Sequence, residues 1–210
     1  MKKYILLFLV FSNILALGQE KKLPELTLKT QNISSVAENN KNNTPKEDKY
    51  SVNFKLCGNG SFTRPDFLKD YIVIEYEGLT KQQLYINILS SISQLYNSPN
   101  DVISKIENES ITVDGYYESI SHRDVPIGDG TISVTYKIQF LFKDGKIRVN
   151  SPIIKDVWET TLSKFKLNNF NEYVKNTLWN KYPKTVYEIQ SNMNKTINCI
   201  LKNAVNKEDW

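Results

Sequence analysis

The sequence predicts an α+β fold, an antiparallel sheet with helices packed on one face. Three observations lead there. Residues 131–143 alternate between apolar and polar side chains, the period of a strand with one packed face and one wet face. A single amphipathic helix pattern follows the first strand and is then succeeded by strands alone, which points to a meander rather than repeated βαβ units. A long apolar stripe at helical spacing closes the chain.

The elements follow in order. Met1-Lys2-Lys3 precedes a nearly unbroken apolar run from Tyr4 to Leu17, with small residues at Ala16 and Gly18. A charged start, an apolar centre and a small-residue end are the parts of a secretory signal. Residues 1–18 are therefore expected to be removed near Gly18, and the protein to be exported, periplasmic or secreted. The run is broken by Ser12 and Asn13 and is shorter than the ~20 apolar residues that span a bilayer. No later segment is long and apolar enough to span, so the mature chain is expected to have no transmembrane segment.

Residues 19–50 are rich in Asn, Lys and Glu, with Pro24 and Pro45. Such a composition buries too little apolar surface to offset ordering entropy, and a disordered polar leader is expected. The α+β domain is expected over 51–150. It opens with an irregular approach containing a short strand around Val52–Leu56. Tyr71–Tyr76 is β-rich and ends at Gly78, which reads as a strand and a turn. Thr80-Lys81-Gln82-Gln83 has the form of a capping box. The helix it opens aligns Leu84, Tyr85, Ile88, Leu89, Ile92, Leu95 and Tyr96 on one stripe. Ser98-Pro99-Asn100 stops it.

Val102–Ile106 and Ser110–Glu118 read as the next strands, joined by the turn Glu107-Asn108-Glu109. Ile111, Val113 and Tyr117 are expected to point inward. Residues 121–130 read as a loop. The alternating strand 131–143 then meets Lys143-Asp144-Gly145, a hairpin turn, and Lys146–Asn150 pairs back. The order is β-α-β-β-β-β.

From Ser151 the pattern is less regular. Trp158, Leu162, Phe165, Phe170, Tyr173, Leu178, Trp179 and Tyr182 are too many large apolar groups for a free tail. Residues 151–210 are expected to be a helical extension packed on the domain through short helices. A second capping-box pattern, Thr185-Val186-Tyr187-Glu188, introduces a final helix with Ile189, Met193, Ile197, Ile200, Leu201 and Ala204 on its stripe.

Residues 70–150 carry a family resemblance. It lies in the strand Tyr71–Tyr76, the turn and cap Glu77-Gly78-Leu79-Thr80-Lys81, the helix opening Gln83-Leu84-Tyr85, and Asn100-Asp101-Val102-Ile103. It continues in the Gly115 strand and the pair ending Lys143-Asp144-Gly145-Lys146. In these the chain resembles the DUF4468 family, exported bacterial proteins with a TBP-like fold. The resemblance implies that fold and brings no catalytic residues.

Composition narrows the function. Lys and Arg number 27 against 23 Asp and Glu, a net charge of +4, and a single His is present. The basic residues are scattered, without the concentrated stripe typical of nucleic-acid binding, so no nucleic-acid partner is expected despite the TBP-like resemblance. The two cysteines, Cys57 and Cys199, are not in a CxxC, which disfavours a zinc site. Export permits a disulfide between them, which would close a long loop and stabilise by ~4–5 kcal/mol in the chain-entropy model. The alternative is two separate buried thiols.

His122 lies in Ser121-His122-Arg123-Asp124 with no nucleophile motif such as GxSxG, and reads as a surface residue. Glu75, Glu77, Glu107, Glu109, Asp114 and Glu118 read as a solvated rim. No cofactor or metal is expected.

Adjacent strand residues point to opposite faces, so Tyr71, Val73 and Tyr116 fall on the outer face with Thr135 and Lys137. These five are the candidate partner surface, unless the tail covers them through Trp158 and Trp179. The expected function is a non-enzymatic binding or accessory module of the bacterial cell envelope, with an envelope protein, peptide or lipid as partner. The alternative is an envelope hydrolase with dispersed carboxylates.

Overall fold

The computed structural model describes residues 49–124, 129–160, 164–167 and 169–205. The expected signal segment and residues 19–48 of the leader lie outside the described residues. The elements are β1 (Lys55–Leu56), β2 (Phe62–Thr63), β3 (Tyr71–Glu75), α1 (Lys81–Leu95), α2 (Pro99–Val102), β4 (Ile103–Ile106) and β5 (Ser110–Asp124). They continue with β6 (Asp129–Lys143), β7 (Lys146–Asn150), β8 (Ile153–Thr160), β9 (Lys164–Leu167), α3 (Phe170–Tyr173) with a π-helical turn (Val174–Leu178), and α4 (Pro183–Asn203).

The main sheet is antiparallel, in the order β3-β7-β6-β5-β4. β8 pairs with the first half of β6, and β9 pairs with β8. β7 and β8 thus lie along the same edge of β6, interrupted at Ser151-Pro152. Proline has no N–H to give a ladder, and the break lets β3 attach to one half and β9 to the other.

The inward face of the sheet carries Ile111, Val113, Ile132, Val134, Ile138, Phe140, Ile147 and Val149, all buried. Against it lie Leu84, Ile88 and Ile92 of α1 and Ile189, Met193 and Ile197 of α4. Each such aliphatic group contributes about 1.5–3 kcal/mol on burial. The two helices touch each other, and Ser91 Oγ donates to the Ile200 carbonyl at 2.8 Å. Both helices therefore sit on one face, as the sequence predicts.

The Thr80 capping box forms: Thr80 Oγ1 accepts from the Gln83 amide at 3.3 Å, and the Gln83 side chain accepts from the Thr80 amide at 2.9 Å. The second box does not form. α4 starts at Pro183, ahead of Thr185, where proline is well tolerated because its missing N–H would have no partner. Thr185 is buried and donates to the His122 carbonyl at 2.9 Å; Glu188 accepts from Ser121 Oγ at 2.7 Å. Both side chains bind the sheet, not the start of their own helix.

The expected helical tail is corrected most. Residues 153–160 and 164–167 are strands. The alternation in β8 is hidden because the register slips at Lys155, a β-bulge, so the inward positions are Ile154, Val157 and Glu159 rather than an even series. The expected loop at 121–130 is also mostly strand, since β5 runs to Asp124 and β6 begins at Asp129; residues 125–128 lie outside the described residues.

Lys49 and Tyr50 fall within the expected leader, yet Tyr50 stacks on Tyr76, with ring centroids 4.8 Å apart. The segment after it is built into the core. Val52, Phe54 and Leu56 are buried and lie along α4, bound by side-chain amides spaced four residues apart. Val52 N–H donates to Asn198 (2.7 Å), Phe54 N–H to Asn194 (2.8 Å) and Leu56 N–H to Gln190 (3.0 Å). The periods match: four helical residues rise ~6.0 Å, and two strand residues ~6.6 Å.

A candidate binding cleft on the open face of the sheet

With both helices on one side, the opposite face of the sheet is not covered by either long helix of the described residues. Register decides which side chains appear there. Tyr116 pairs with Thr135, Asp114 with Lys137, Val73 with Arg148 and Tyr71 with Asn150. All five sequence-predicted surface residues do share this face. They form two groups. Tyr116, Thr135 and Lys137 are neighbours on β5 and β6, whereas Tyr71 and Val73 lie on β3 with β7 between. Arg148 caps Tyr71, its guanidinium 3.8 Å from the ring centroid, a cation–π contact. Val73 is 46% exposed, and Ile106 and Ile153 are 62% and 58% exposed.

The expected cover by the tail is only half met. Trp158 is on this face, but as a residue of β8, opposite Ser133. Its ring stands edge-to-face with Tyr116, with centroids 5.8 Å apart and planes at 81°. Trp179 is elsewhere, packed against Gly58 of the β1–β2 turn.

Beside the aromatic pair a cleft of about 360 Å³ is lined by Tyr116, Glu118, Ser119, Thr131, Ser133, Trp158 and Thr160. A register shift between Tyr117 and Ser121 shapes its floor. Ser119 at the bulge has φ 56°, and its amide donates to Ser133 Oγ at 3.1 Å. Bulges re-aim side chains beside functional sites, and this one fixes where Glu118 projects. Of the cleft residues the sequence marks only Tyr116 as a partner contact; it places Glu118 in the rim and Trp158 in the tail cover. The available signal was parity, because Tyr116 and Glu118 are two apart on one strand.

A second depression, of about 470 Å³, opens at the Ser151-Pro152 break and is lined in part by Asp70, Lys137, Gln139, Asn150 and Asn171. Its amides already bind each other, Asn150 Nδ2 donating to Gln139 Oε1 at 2.7 Å. Lys137 is 3.9 Å from Asp114, which also pairs with Lys155.

His122 is on a strand, exposed and opposite Thr131 at the end of the cleft. Cys57 and Cys199 are free thiols, so the permitted bridge is not made. Cys57 Sγ lies 3.5 Å from Thr63 Oγ1, and Cys199 Sγ accepts from Asn203 Nδ2 at 3.9 Å on α4; burial pushes the Cys199 thiol up. Among the described residues, no group of three or more His, Cys, Asp or Glu is placed to hold a metal ion.

On the covered side, Glu159 is 2% exposed. It pairs with Arg123, whose Nε donates at 2.7 Å, and accepts from Tyr173 Oη at 3.0 Å. The Arg123 guanidinium stacks on Tyr182 at 4.8 Å. This cluster ties β8 and β5 to the C-terminal helices.

No family model matches the chain, and no curated protein matches it. Among solved structures it is similar to a TBP-like protein from Parabacteroides distasonis, with a TM-score of 0.50 and 16% identity over 66% of this chain and 92% of that one. It is also similar to a DUF4468 family protein from Bacteroides ovatus, with a TM-score of 0.43 and 12% identity over 67% of this chain and 87% of the other. The likeness to the Parabacteroides protein is one of fold, and the chain has the α+β, TBP-like fold that its sequence resemblance implies.

Proposed function

We propose that the chain is an exported, non-enzymatic binding module of the bacterial cell envelope that offers the open face of its sheet to a partner. The observation that carries this reading is the one-sided architecture. α1 and α4 cover one face, and the other presents exposed Val73, Ile106 and Ile153 and a cleft walled by Tyr116 and Trp158. The three exposed apolar residues stand singly, on β3, β4 and β8, so the aromatic-walled cleft is the feature that marks this face for a partner. Export rests on the signal pattern of residues 1–18. Among the described residues no helix is long and apolar enough to cross a membrane.

The hydrolase alternative needs two carboxylates facing each other across a cleft. Among the described side chains each depression is lined by one, Glu118 or Asp70, and this supports binding rather than hydrolysis. DNA is not part of this proposal, since fold does not carry function.

The test is a photo-crosslinking residue placed at Val73 or Lys137 in intact cells, with the same residue at Tyr187, 66% exposed on α4, as the control. A discrete adduct from the sheet positions alone is expected. Adducts from neither sheet position, or equally from Tyr187, would overturn the reading.

A further inference from the structure

We propose that the cleft between β5, β6 and β8 binds a saccharide, one or two pyranose units of a larger glycan. This rests on the binding-module reading and gives it a ligand class. The rings of Tyr116 and Trp158, with planes at 81°, form a corner. A pyranose has an apolar face of C–H groups, and such a face is attracted to the electron-rich face of an aromatic ring. The remaining lining matches the edge of a sugar. Ser119, Thr131, Ser133 and Thr160 bring hydroxyls, which both donate and accept, and Glu118 brings a carboxylate that can accept from two neighbouring hydroxyls. On the next strand Lys166 and Lys164 stand in register with Trp158 and Thr160, so the ligand class is a saccharide, neutral or acidic. A few polar groups set around an aromatic wall is the usual make-up of a ligand site, and about 360 Å³ falls in the lower part of the ~300–1,000 Å³ range for such sites.

The cleft is also pre-formed. Its walls are three paired strands, and the bond from the Ser119 amide to Ser133 Oγ holds the bulge. Binding therefore orders little new structure, which preserves affinity. The second depression lacks these features: its Asn150 and Gln139 amides bind each other, and it has no paired rings.

The test titrates the mature chain with maltose, cellobiose, mannobiose and N,N′-diacetylchitobiose, with sialyllactose as an anionic comparison, following amide and indole N–H resonances. At least one of these sugars is expected to shift the Trp158 indole and the Ser119, Thr131 and Thr160 amides saturably. Glu118→Gln, an exposed change that leaves packing intact, and Trp158→Leu should each weaken binding about tenfold or more. If none of these sugars moves these resonances, or if binding is unchanged in both variants, the saccharide site is refuted. Crosslinking from Val73 or Lys137 separates the two readings: adducts there without any saccharide response leave a binding module with a different ligand.

Discussion

Asn194 holds Phe54 by both halves of its backbone: Oδ1 accepts from the Phe54 N–H at 2.8 Å, and Nδ2 donates to the Phe54 carbonyl at 2.9 Å. Asn198 does the same to Val52, at 2.7 and 3.1 Å. A helix thereby offers side-chain amides where a sheet would offer a neighbouring strand. Buried backbone groups need such partners, and the Val52, Phe54 and Leu56 amides get them from α4.

Asn194→Ala should therefore cost more than a typical surface change. It leaves a buried N–H and a buried C=O without partners, at about 1–3 kcal/mol each. Urea unfolding should show a loss of roughly 2–6 kcal/mol, and amide exchange at Phe54 should quicken more than exchange at Ile138 in the sheet. A loss below about 0.5 kcal/mol would show that the ladder contributes nothing.

Gly115 fits where no other residue can. It pairs with Tyr136, and a Cβ there would stand 2.4 Å from the ring carbon Cζ of Tyr136 and 2.5 Å from its hydroxyl. The tyrosine lies across the glycine to reach Tyr96, 2.7 Å from hydroxyl to hydroxyl. Gly115→Ala overpacks this crossing and should destabilise by about 1–3 kcal/mol or more. Coupling between touching residues is non-additive, so in a Tyr136→Leu background the same change should cost clearly less. Equal costs in both backgrounds would disprove the steric account.

The elements visible in the sequence were those whose local and tertiary demands agree. Thr80 and Gln83 form their box because both are exposed and have no stronger partner. Thr185 and Glu188 have the same spacing, but they face buried groups on β5, and those bonds outcompete the local cap. β6 was legible because it alternates without interruption. β8 was not, because the bulge at Lys155 shifts its phase and because an inward Glu159 reads as polar until Arg123 is beside it. The open face was found by parity alone. The cleft was missed because it depends on a bulge and on the pairing of β6 with β8, both long-range facts.

Glu159 should be costly to orphan. It is almost fully buried and satisfied by Arg123 and Tyr173. Arg123→Met removes its counter-charge, and breaking a buried pair from one side costs about 3–5 kcal/mol. The double change Arg123→Met with Glu159→Leu should recover part of that loss, since no buried charge is left. Denaturant unfolding of both variants measures this; a single change costing under about 1 kcal/mol would show that water replaces the arginine.

The buried tyrosines set an alkaline limit. Burial is the chief cause that raises the Tyr96, Tyr136 and Tyr173 hydroxyls above the ordinary value, opposed at Tyr96 by its bond to Tyr136 and reinforced at Tyr173 by the charge of Glu159. A hydroxyl raised in the folded state holds its proton more tightly there than in the unfolded chain. Its contribution to stability is thus complete below the unfolded value, about 10, and is lost as pH rises above it. Stability should stay level with respect to these groups through neutral pH and fall above about pH 10. Phenolate absorbance should appear in two stages, the exposed tyrosines first and the buried ones only as the fold is lost. Tyr96→Phe should remove one group from the second stage and soften the alkaline fall. A single-stage titration in a chain that remains folded would show that these hydroxyls reach water.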